Sequence, residues 1–182
     1  YTLHILLVAH EEHGLVEELW QYLDEDAPQG ASRELRRKNN LRVGLLTERF
    51  RPAAQAVMER LYTRRLSPIP TFCPAGKVQL FPCGRTREGV DLFLWTSEDE
   101  LLGRSFPRLS LEMEVAAVPA GEQVAELTIT PTLVLGPGKR QGLAPLRTVL
   151  RCPVGGSVVI GAVDPRGRML GQFFQNTVNS PD

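Results

Sequence analysis

Hydrophobic residues in the first part of the chain recur at helical spacing between two short apolar runs. Leu15, Leu19 and Leu23 lie four residues apart, which predicts an amphipathic helix with acidic residues on its other face. The runs Thr2–Ala9 and Leu41–Leu46 are short, apolar and rich in branched side chains, which is typical of buried strands. The chain is therefore expected to begin with a strand, a helix and a second strand.

Capping residues predict two further helices. Ser32 is a preferred N-cap and predicts a short helix through Lys38. Asn39 and Asn40 close this helix, because asparagine tolerates the left-handed conformation that often follows a helix end. Pro52 suits the first turn of another helix. We expect the buried face of that helix to hold Ala53, Ala56, Val57 and Leu61.

Beyond residue 65 the apolar runs become short and are separated by Pro and Gly. Between Leu109 and Val115, apolar residues alternate with Ser and Glu, which is the period of a strand with one solvated face. Six strands are predicted: Val78–Phe81, Val90–Thr96, Leu109–Val118, Val124–Leu135, Val149–Cys152 and Ser157–Val163. The predicted fold class is α+β. A strand–helix–strand–helix module at residues 1–65 precedes a mainly antiparallel, β-rich module at residues 66–182.

Charge is balanced overall but unevenly distributed. Glu11–Asp26 contains seven acidic residues and no Lys or Arg, whereas Arg33–Arg42 contains five basic residues and only Glu34 as an acid. One interpretation is two solvated helix faces. The other is a dipolar surface that pairs head to tail with a second copy, and its candidate contacts are Glu17, Glu18, Arg36 and Arg37. A net charge of zero gives no global field that would attract nucleic acid.

The cysteines and the first residue bear on the compartment. Cys73 and Cys83 lie in a Pro/Gly-rich stretch that would bring them together in a hairpin, so they are a candidate disulfide; two free thiols are the alternative. Cys152 is expected in a buried strand. The chain begins at Tyr1 instead of Met, which is expected after export with signal removal or after excision from a longer chain. No apolar run has the length of a membrane-spanning helix.

Motifs that would support catalysis are weak. His10 and His13 are three residues apart, unlike the four-residue spacing of the helical zinc motif, and adding His4 gives only a minor metal-site alternative. The segment Gly136–Gly142 lacks the P-loop spacing and contains Pro137, so it is interpreted as a basic hairpin tip. No serine stands in a nucleophile elbow. The chain is therefore expected to be non-catalytic, with no metal and no cofactor.

Three segments near the C-terminus resemble the secretins, the ring-forming outer-membrane channels of bacterial secretion and pilus systems. Leu127–Pro131, LTITP, resembles a strand that ends in a Thr-Pro step. Val149–Ala162, VLRCPVGGSVVIGA, resembles a strand–turn–strand, and Leu170–Phe174, LGQFF, resembles the closing element of the family. Ala162 stands where secretins usually have a second glycine, and the following segment is too short for the family's membrane lip.

The resemblance implies a structural subunit of a periplasmic or outer-membrane-associated assembly. It would be a homo-oligomer held by sheet edges and charged helices, without a transmembrane helix, and other envelope proteins would be candidate partners. Its expected turn residues are Pro131, at a strand end, and Gly155, Gly156, Gly161 and Gly171. An alternative is a monomeric periplasmic module that binds a glycan or a protein through the face around Phe93 and Trp95.

Overall fold

The computed structural model describes residues 2–5, 13–62, 69–72, 74–164 and 169–174. Its α-helices are α1 (His13–Trp20), α2 (Arg33–Lys38) and α3 (Arg51–Tyr62). Short 3₁₀ helices lie at Glu48–Phe50, Ala144–Leu146 and Met169–Phe174. The strands are β1 (Thr2–Ile5), β2 (Leu23–Asp24), β3 (Gln29–Gly30), β4 (Arg42–Leu46), β5 (Ile69–Phe72), β6 (Val78–Pro82), β7 (Arg87–Trp95), β8 (Leu101–Gly121), β9 (Val124–Gly136), β10 (Lys139–Gly142), β11 (Thr148–Pro153) and β12 (Ser157–Gly161).

All described strand pairs are antiparallel, and the predicted α+β, β-rich fold class is confirmed. The six strands predicted after residue 65 correspond to β6, β7, β8, β9, β11 and β12. The predicted strand Thr2–Ala9 is present as β1 over its first residues, and residues 6–9 lie outside the described part. Among the described residues, no helix is long and apolar enough to cross a membrane.

The largest sheet is built around β8 and β9. Its order is β3-β11-β9-β8-β6, with β10 paired to β9 and β7 paired to β8. Leu111 and Met113 on β8 are buried, at 1% and 2% exposure, whereas the alternating Glu112 and Glu114 are half-buried. Burial of one face of this strand explains why its period-two pattern is visible in the sequence.

Strands from the two ends of the chain share a second sheet. β4 lies between β2 and β12, so residues 42–46 are hydrogen-bonded to residues 157–161. β3 likewise pairs with β11. Leu41 and Val43 belong to the same buried cluster as Leu150 and Leu170. The boundary predicted near residue 65 is therefore crossed by backbone pairing and by the core.

A smaller core joins α1 to α3. Leu19, Val57 and Leu61 are buried together, and Ala54 is fully buried, whereas Ala56 is exposed. The predicted apolar face of α3 was wrong at Ala56, because positions 54, 57 and 61 share one face at helical spacing.

The first predicted helix is shorter than expected. α1 ends at Trp20, and Leu23 lies in β2 opposite Leu46 of β4. Leu23 is spaced like a third residue of the apolar helix face, after Leu15 and Leu19, but tertiary strand pairing overrides this local pattern. A Cβ on Gly44 would lie 2.9 Å from the Leu23 Cβ, so β4 passes close beneath this segment.

The predicted ends of α2 are confirmed. The Ser32 side chain accepts a hydrogen bond from the Leu35 amide at 3.0 Å, which is the N-cap interaction. Asn40 has a φ of 56°, in the left-handed region. This short helix therefore begins and ends at residues that are recognisable in the sequence.

Candidate interaction surface

Arg36, one of the four predicted contact residues, is buried within the fold. Its side chain is 2% exposed, and its guanidinium donates to the carbonyl oxygens of Ala31 at 2.6 Å and Glu25 at 2.9 Å. Burial lowers its pKa from the ordinary value, and the Glu25 charge partly offsets this. Arg36 thus holds the α2 helix to the preceding loop and is not available at the surface.

Glu25 and Arg42 form a buried ion pair that the sequence did not reveal. Both residues are 7% exposed, and Arg42 Nη2 lies 2.6 Å from Glu25 Oε1. The Arg42 guanidinium also lies 4.2 Å from the Trp20 ring centroid. Burial raises the pKa of Glu25, but hydrogen bonds and charges from Arg42 and Arg37 outweigh it, so the net shift is downward. Arg42 Nε is buried without a hydrogen-bond partner among the described residues.

The other three predicted contact residues also have partners within the chain. Glu17 pairs with Arg42 at 3.1 Å and Arg37 pairs with Glu25 at 3.3 Å, both at the rim of the buried pair. Glu18 pairs with Arg60 of α3 at 3.0 Å. These three residues therefore have ion-pair partners within the chain, and their pairing with a second copy stays a prediction.

Pro131 lies inside β9, in contrast to the predicted strand end. It is opposite Met113 of β8, and its carbonyl oxygen accepts from the Leu143 amide at 2.8 Å. The nitrogen and carbonyl of one strand residue point to the same side, so the Pro131 nitrogen faces away from β8. Pro131 lies between two parts of β9: residues 124–129, which pair with β11, and residues 132–136, which pair with β10. No ladder donor toward β8 is lost.

Of the four predicted turn glycines, Gly155 and Gly156 lie between β11 and β12, whereas Gly161 is the last residue of β12 and Gly171 lies in the last 3₁₀ helix, in contrast to the prediction. Gly155, with a φ of 76°, and Gly156 carry the chain from β11 into β12, which belongs to a different sheet. A Cβ on Gly156 would lie 2.8 Å from the Pro153 carbonyl oxygen, and one on Gly161 would lie 3.2 Å from the Trp20 ring. A Cβ on Gly171 would collide with the Asn40 side chain.

The cysteine and histidine predictions fall partly outside the described residues. Cys73 lies outside them, so its pairing with Cys83 stays a prediction. Cys83 is a buried thiol, and burial raises its pKa to about 12. The side chains of His4, His10 and His13 also lie outside the described part. Among the side chains that are described, no group of three His, Cys, Asp or Glu residues could hold a metal.

The outer edge of β7 is open along its middle. β7 and β8 pair in constant register from Arg87↔Leu109 to Trp95↔Leu101. The fully buried Asn39 accepts from the Trp95 amide and donates to the Trp95 carbonyl, both at 2.9 Å, so these groups point away from β8. By strand alternation, the backbone groups of Phe93 and Asp91 point the same way. Within the described ranges, β8 is the only strand that pairs with β7.

Three exposed apolar side chains lie on this β7–β8 ribbon, with Phe93 and Leu101 on one face and Leu102 on the other. Phe93 is 41% exposed, and Leu101 and Leu102 are 45% and 46% exposed. Phe93 lies over Gly103 on the opposite strand, because a Cβ there would be 3.0 Å from the ring. The Lys38 ammonium lies 4.9 Å from the Trp95 ring centroid. The ribbon thus combines an open backbone edge with an aromatic and aliphatic surface.

No protein-family model matches this chain, and neither a curated protein nor a solved structure does.

Proposed function

We propose that this chain is a non-catalytic structural subunit that self-associates through an exposed strand edge, as a secretin-like component of the bacterial cell envelope. The observation that carries the proposal is the outer edge of β7, which pairs with no described strand, together with the exposed side chains of Phe93 and Leu101 on one face of the β7–β8 ribbon. An unpaired edge offers backbone donors and acceptors to another strand. Exposed apolar side chains next to that edge gain stability when a partner covers them.

Charge complementarity favours a second copy of this chain as the partner. β7 is preceded by Arg85 and begins at Arg87, and it ends before the acidic turn at residues 98–100. Antiparallel pairing of two β7 strands brings the acidic turn of one copy beside the basic end of the other. The same surface serves both copies, so the contact is two-fold. A larger assembly needs a second contact, for which the sheet-edge strand β6 is the candidate.

The secretin-like part of the proposal is supported by the order of three segments. Leu127–Pro131 lies in β9, Val149–Ala162 covers β11, the glycine turn and β12, and Leu170–Phe174 lies in the last 3₁₀ helix. β9 and β11 are hydrogen-bonded neighbours. On the strength of this resemblance, the proposal assigns the subunit to the periplasm or the outer membrane, with other envelope proteins as further candidate partners.

The test is the mass of the native chain in solution. We expect light scattering after size exclusion to give a mass above that of one chain, rising with concentration. Phe93→Lys should shift the population toward monomer, because an edge lysine opposes strand addition. Val154→Lys is the control, since Val154 is 60% exposed and lies in the turn between β11 and β12, outside both β7 and the candidate second contact at β6. Its mass should equal that of the unmodified chain.

A charge variant tests the antiparallel arrangement separately. Asp99→Lys in the acidic turn should weaken association, most strongly at low ionic strength, where surface charges are least screened. An unmodified chain that stays monomeric at all concentrations would refute the proposal. Association that Phe93→Lys and Val154→Lys leave equally unchanged would refute the contact at β7.

A second candidate function is the monomeric binding module for a glycan or a protein. It is favoured by Phe93 and Trp95 on one face of β7, with Lys38 beside the tryptophan ring. Aromatic rings with an adjacent polar group suit the apolar faces and hydroxyls of sugars. A monomeric chain whose tryptophan fluorescence changes on titration with an oligosaccharide, and no longer does so as Phe93→Ala, would support this function over self-association.

A further inference from the structure

The strand β8 has an outer edge of its own where it forms the ribbon with β7. Between Leu101 and Arg108, β7 is the only described strand that pairs with it, because β9 pairs with β8 from Ser110 onward and β6 pairs with it from Glu112. Residues 101–105 are all exposed, whereas buried and exposed residues alternate along the middle of β7. This edge lies on the side of the ribbon opposite to the outer edge of β7.

The backbone groups of alternate residues on this edge point away from β7. Because Asn39 binds the amide and the carbonyl of Trp95, Trp95 exchanges no hydrogen bonds with Leu101, the residue opposite it. The constant register of the two strands gives Gly103 and Ser105 the same orientation as Leu101. The amides and carbonyls of these three residues are therefore directed at the open edge, where a further strand could bind them.

The side chains along this edge are complementary to those of a second copy of the chain. When two copies pair antiparallel with Leu102 opposite its own counterpart, Glu100 of each copy lies opposite Arg104 of the other. All three residues are exposed, and Glu100 accepts from the Thr96 hydroxyl through one carboxylate oxygen, at 2.6 Å. Opposite charges directly across an antiparallel pair stabilise it. Two such pairs flank an apolar contact at the two-fold axis.

The other face of the ribbon gains an apolar contact in the same register. Leu101 of one copy lies opposite Gly103 of the other copy, next to the Phe93 ring that lies over this glycine. Leu101 and Phe93 are 45% and 41% exposed in the single chain, so both lose contact with water when a partner covers them. Sliding the partner by two residues would place Glu100 opposite Phe106 and remove the charge pairs.

We propose that the outer edge of β8 at residues 101–105 is a second self-association surface, at which two copies pair antiparallel across Leu102. The inference rests on the proposed function only in taking a second copy as the partner. This edge is favoured over β6, because residues 74–87, which contain β6, include no acidic residue to oppose Lys77 and Arg85. Together with the β7 contact on the opposite side of the ribbon, it joins copies into an open chain.

Disulfide trapping tests this register on the full chain. The two Leu102 Cα atoms would lie about 4.5 Å apart, a distance that a disulfide spans. In a Cys73→Ser background, we expect Leu102→Cys to form a covalent dimer with diamide roughly tenfold or more faster than Leu101→Cys. Leu101→Cys is the matched control, since these leucines are 46% and 45% exposed and only Leu102 faces its own counterpart. Urea should remove the difference.

A charge swap tests the contacts beside the axis. Arg104→Glu should slow the trapping of Leu102→Cys by roughly threefold or more, because it brings like charges together. Adding Glu100→Arg to that variant should restore the rate, since opposite charges again face each other. A variant that acts only by disturbing the ribbon would not be rescued in this way.

The β8 contact is separated from the β7 contact by its response to Asp91→Pro. This variant removes an amide from the outer edge of β7 and should leave trapping at residue 102 unchanged. Equal trapping of Leu102→Cys and Leu101→Cys would overturn the β8 contact, and so would trapping that Asp91→Pro abolishes. A chain that still associates in either case does so without the β8 edge, so the proposed function stands or fails on its own mass measurement.

Discussion

The side chain of Asn40 forms both hydrogen bonds that a neighbouring strand would form with Asp164. Asn40 Nδ2 donates to the Asp164 carbonyl oxygen and Asn40 Oδ1 accepts from the Asp164 amide, each at 2.8 Å. The residue also occupies the left-handed region, where asparagine is tolerated better than most side chains. Asn40 therefore closes α2 and fixes the segment after β12.

Asn40→Ala should destabilise the fold by about 1–3 kcal/mol. The variant loses both hydrogen bonds to Asp164. Alanine is also strained in the left-handed conformation, because it lacks the polar side chain with which asparagine stabilises that conformation. Urea unfolding followed by circular dichroism measures the change. Asn40→Gly separates the two causes, because glycine adopts this φ without strain. Equal stability of Asn40→Ala and the unmodified chain would contradict the structural role.

Gly171→Ala should destabilise the fold by about 1–3 kcal/mol, because the added methyl group would overlap the Asn40 side chain. Gly14→Ala is the control, since a Cβ at this exposed position in α1 meets no atom within 4 Å. Its stability should be unchanged or slightly higher, because alanine favours the helix.

A double-mutant cycle identifies the cause of the Gly171 effect. In the Asn40→Gly background, the side chain that the new methyl group would meet is gone. Gly171→Ala should then cost less than in the unmodified chain, with a coupling energy of roughly 0.5–3 kcal/mol. Strict additivity of the two changes in urea unfolding would mean that the methyl group is accommodated elsewhere.

Glu25→Gln should destabilise the fold by up to about 3–5 kcal/mol at neutral pH, because it removes the buried negative charge beside Arg42 and leaves the rim residue Glu17 as the remaining ionic partner of that guanidinium among the described residues. The folded-state pKa of Glu25 lies below its ordinary value of 4.5. Its ionised form therefore stabilises the fold above the ordinary pKa, and this stabilisation is lost as pH falls through the lower, folded-state pKa. Urea unfolding across this range should show a weaker acid dependence in Glu25→Gln. Glu17→Gln, at an exposed partner of Arg42, should cost no more than about 1 kcal/mol.

Cys83 and Cys152 should not react with a thiol reagent in the native chain near neutral pH. Burial raises the pKa of Cys83 to about 12 and also raises the pKa of Cys152, and only the thiolate is nucleophilic. The measurement is Ellman's reaction with and without urea, in a Cys73→Ser background that leaves these two thiols. Both should react after unfolding. Fast native reaction of either thiol would show that it is accessible.

Patterns within a few neighbouring residues of the sequence correctly predicted some of the helices and strands. The alternation from Leu109 to Val115 identified β8, and Ser32 and Asn40 identified the two ends of α2. These patterns succeed because one strand face is buried and because caps satisfy neighbouring backbone groups. The β7 surface around Phe93 and Trp95 was also visible as an aromatic pair, but its open edge was not.

The features that the sequence did not predict depend on packing between residues far apart in the chain. Arg36 stands in a run of basic residues and was interpreted as a surface charge, but the carbonyl oxygens that it reaches belong to a loop shaped by β2 and β3. Leu23 fits the helical spacing of α1, yet β4 takes it into a sheet. The Glu25–Arg42 pair joins the acidic segment to the basic segment, and only the folded geometry reveals it.

The pairing of β4 with β12 has a consequence for how the chain matures. During synthesis β4 leaves the ribosome long before β12 is made. The edge of β4 that pairs with β12 in the folded chain is unpaired during that time. Such a nascent intermediate exposes a strand to other chains, and contacts between residues so distant in sequence form slowly. β12 therefore completes the sheet of β2 and β4 long after those strands are made, and a chain that stops before residue 157 would leave that sheet unfinished.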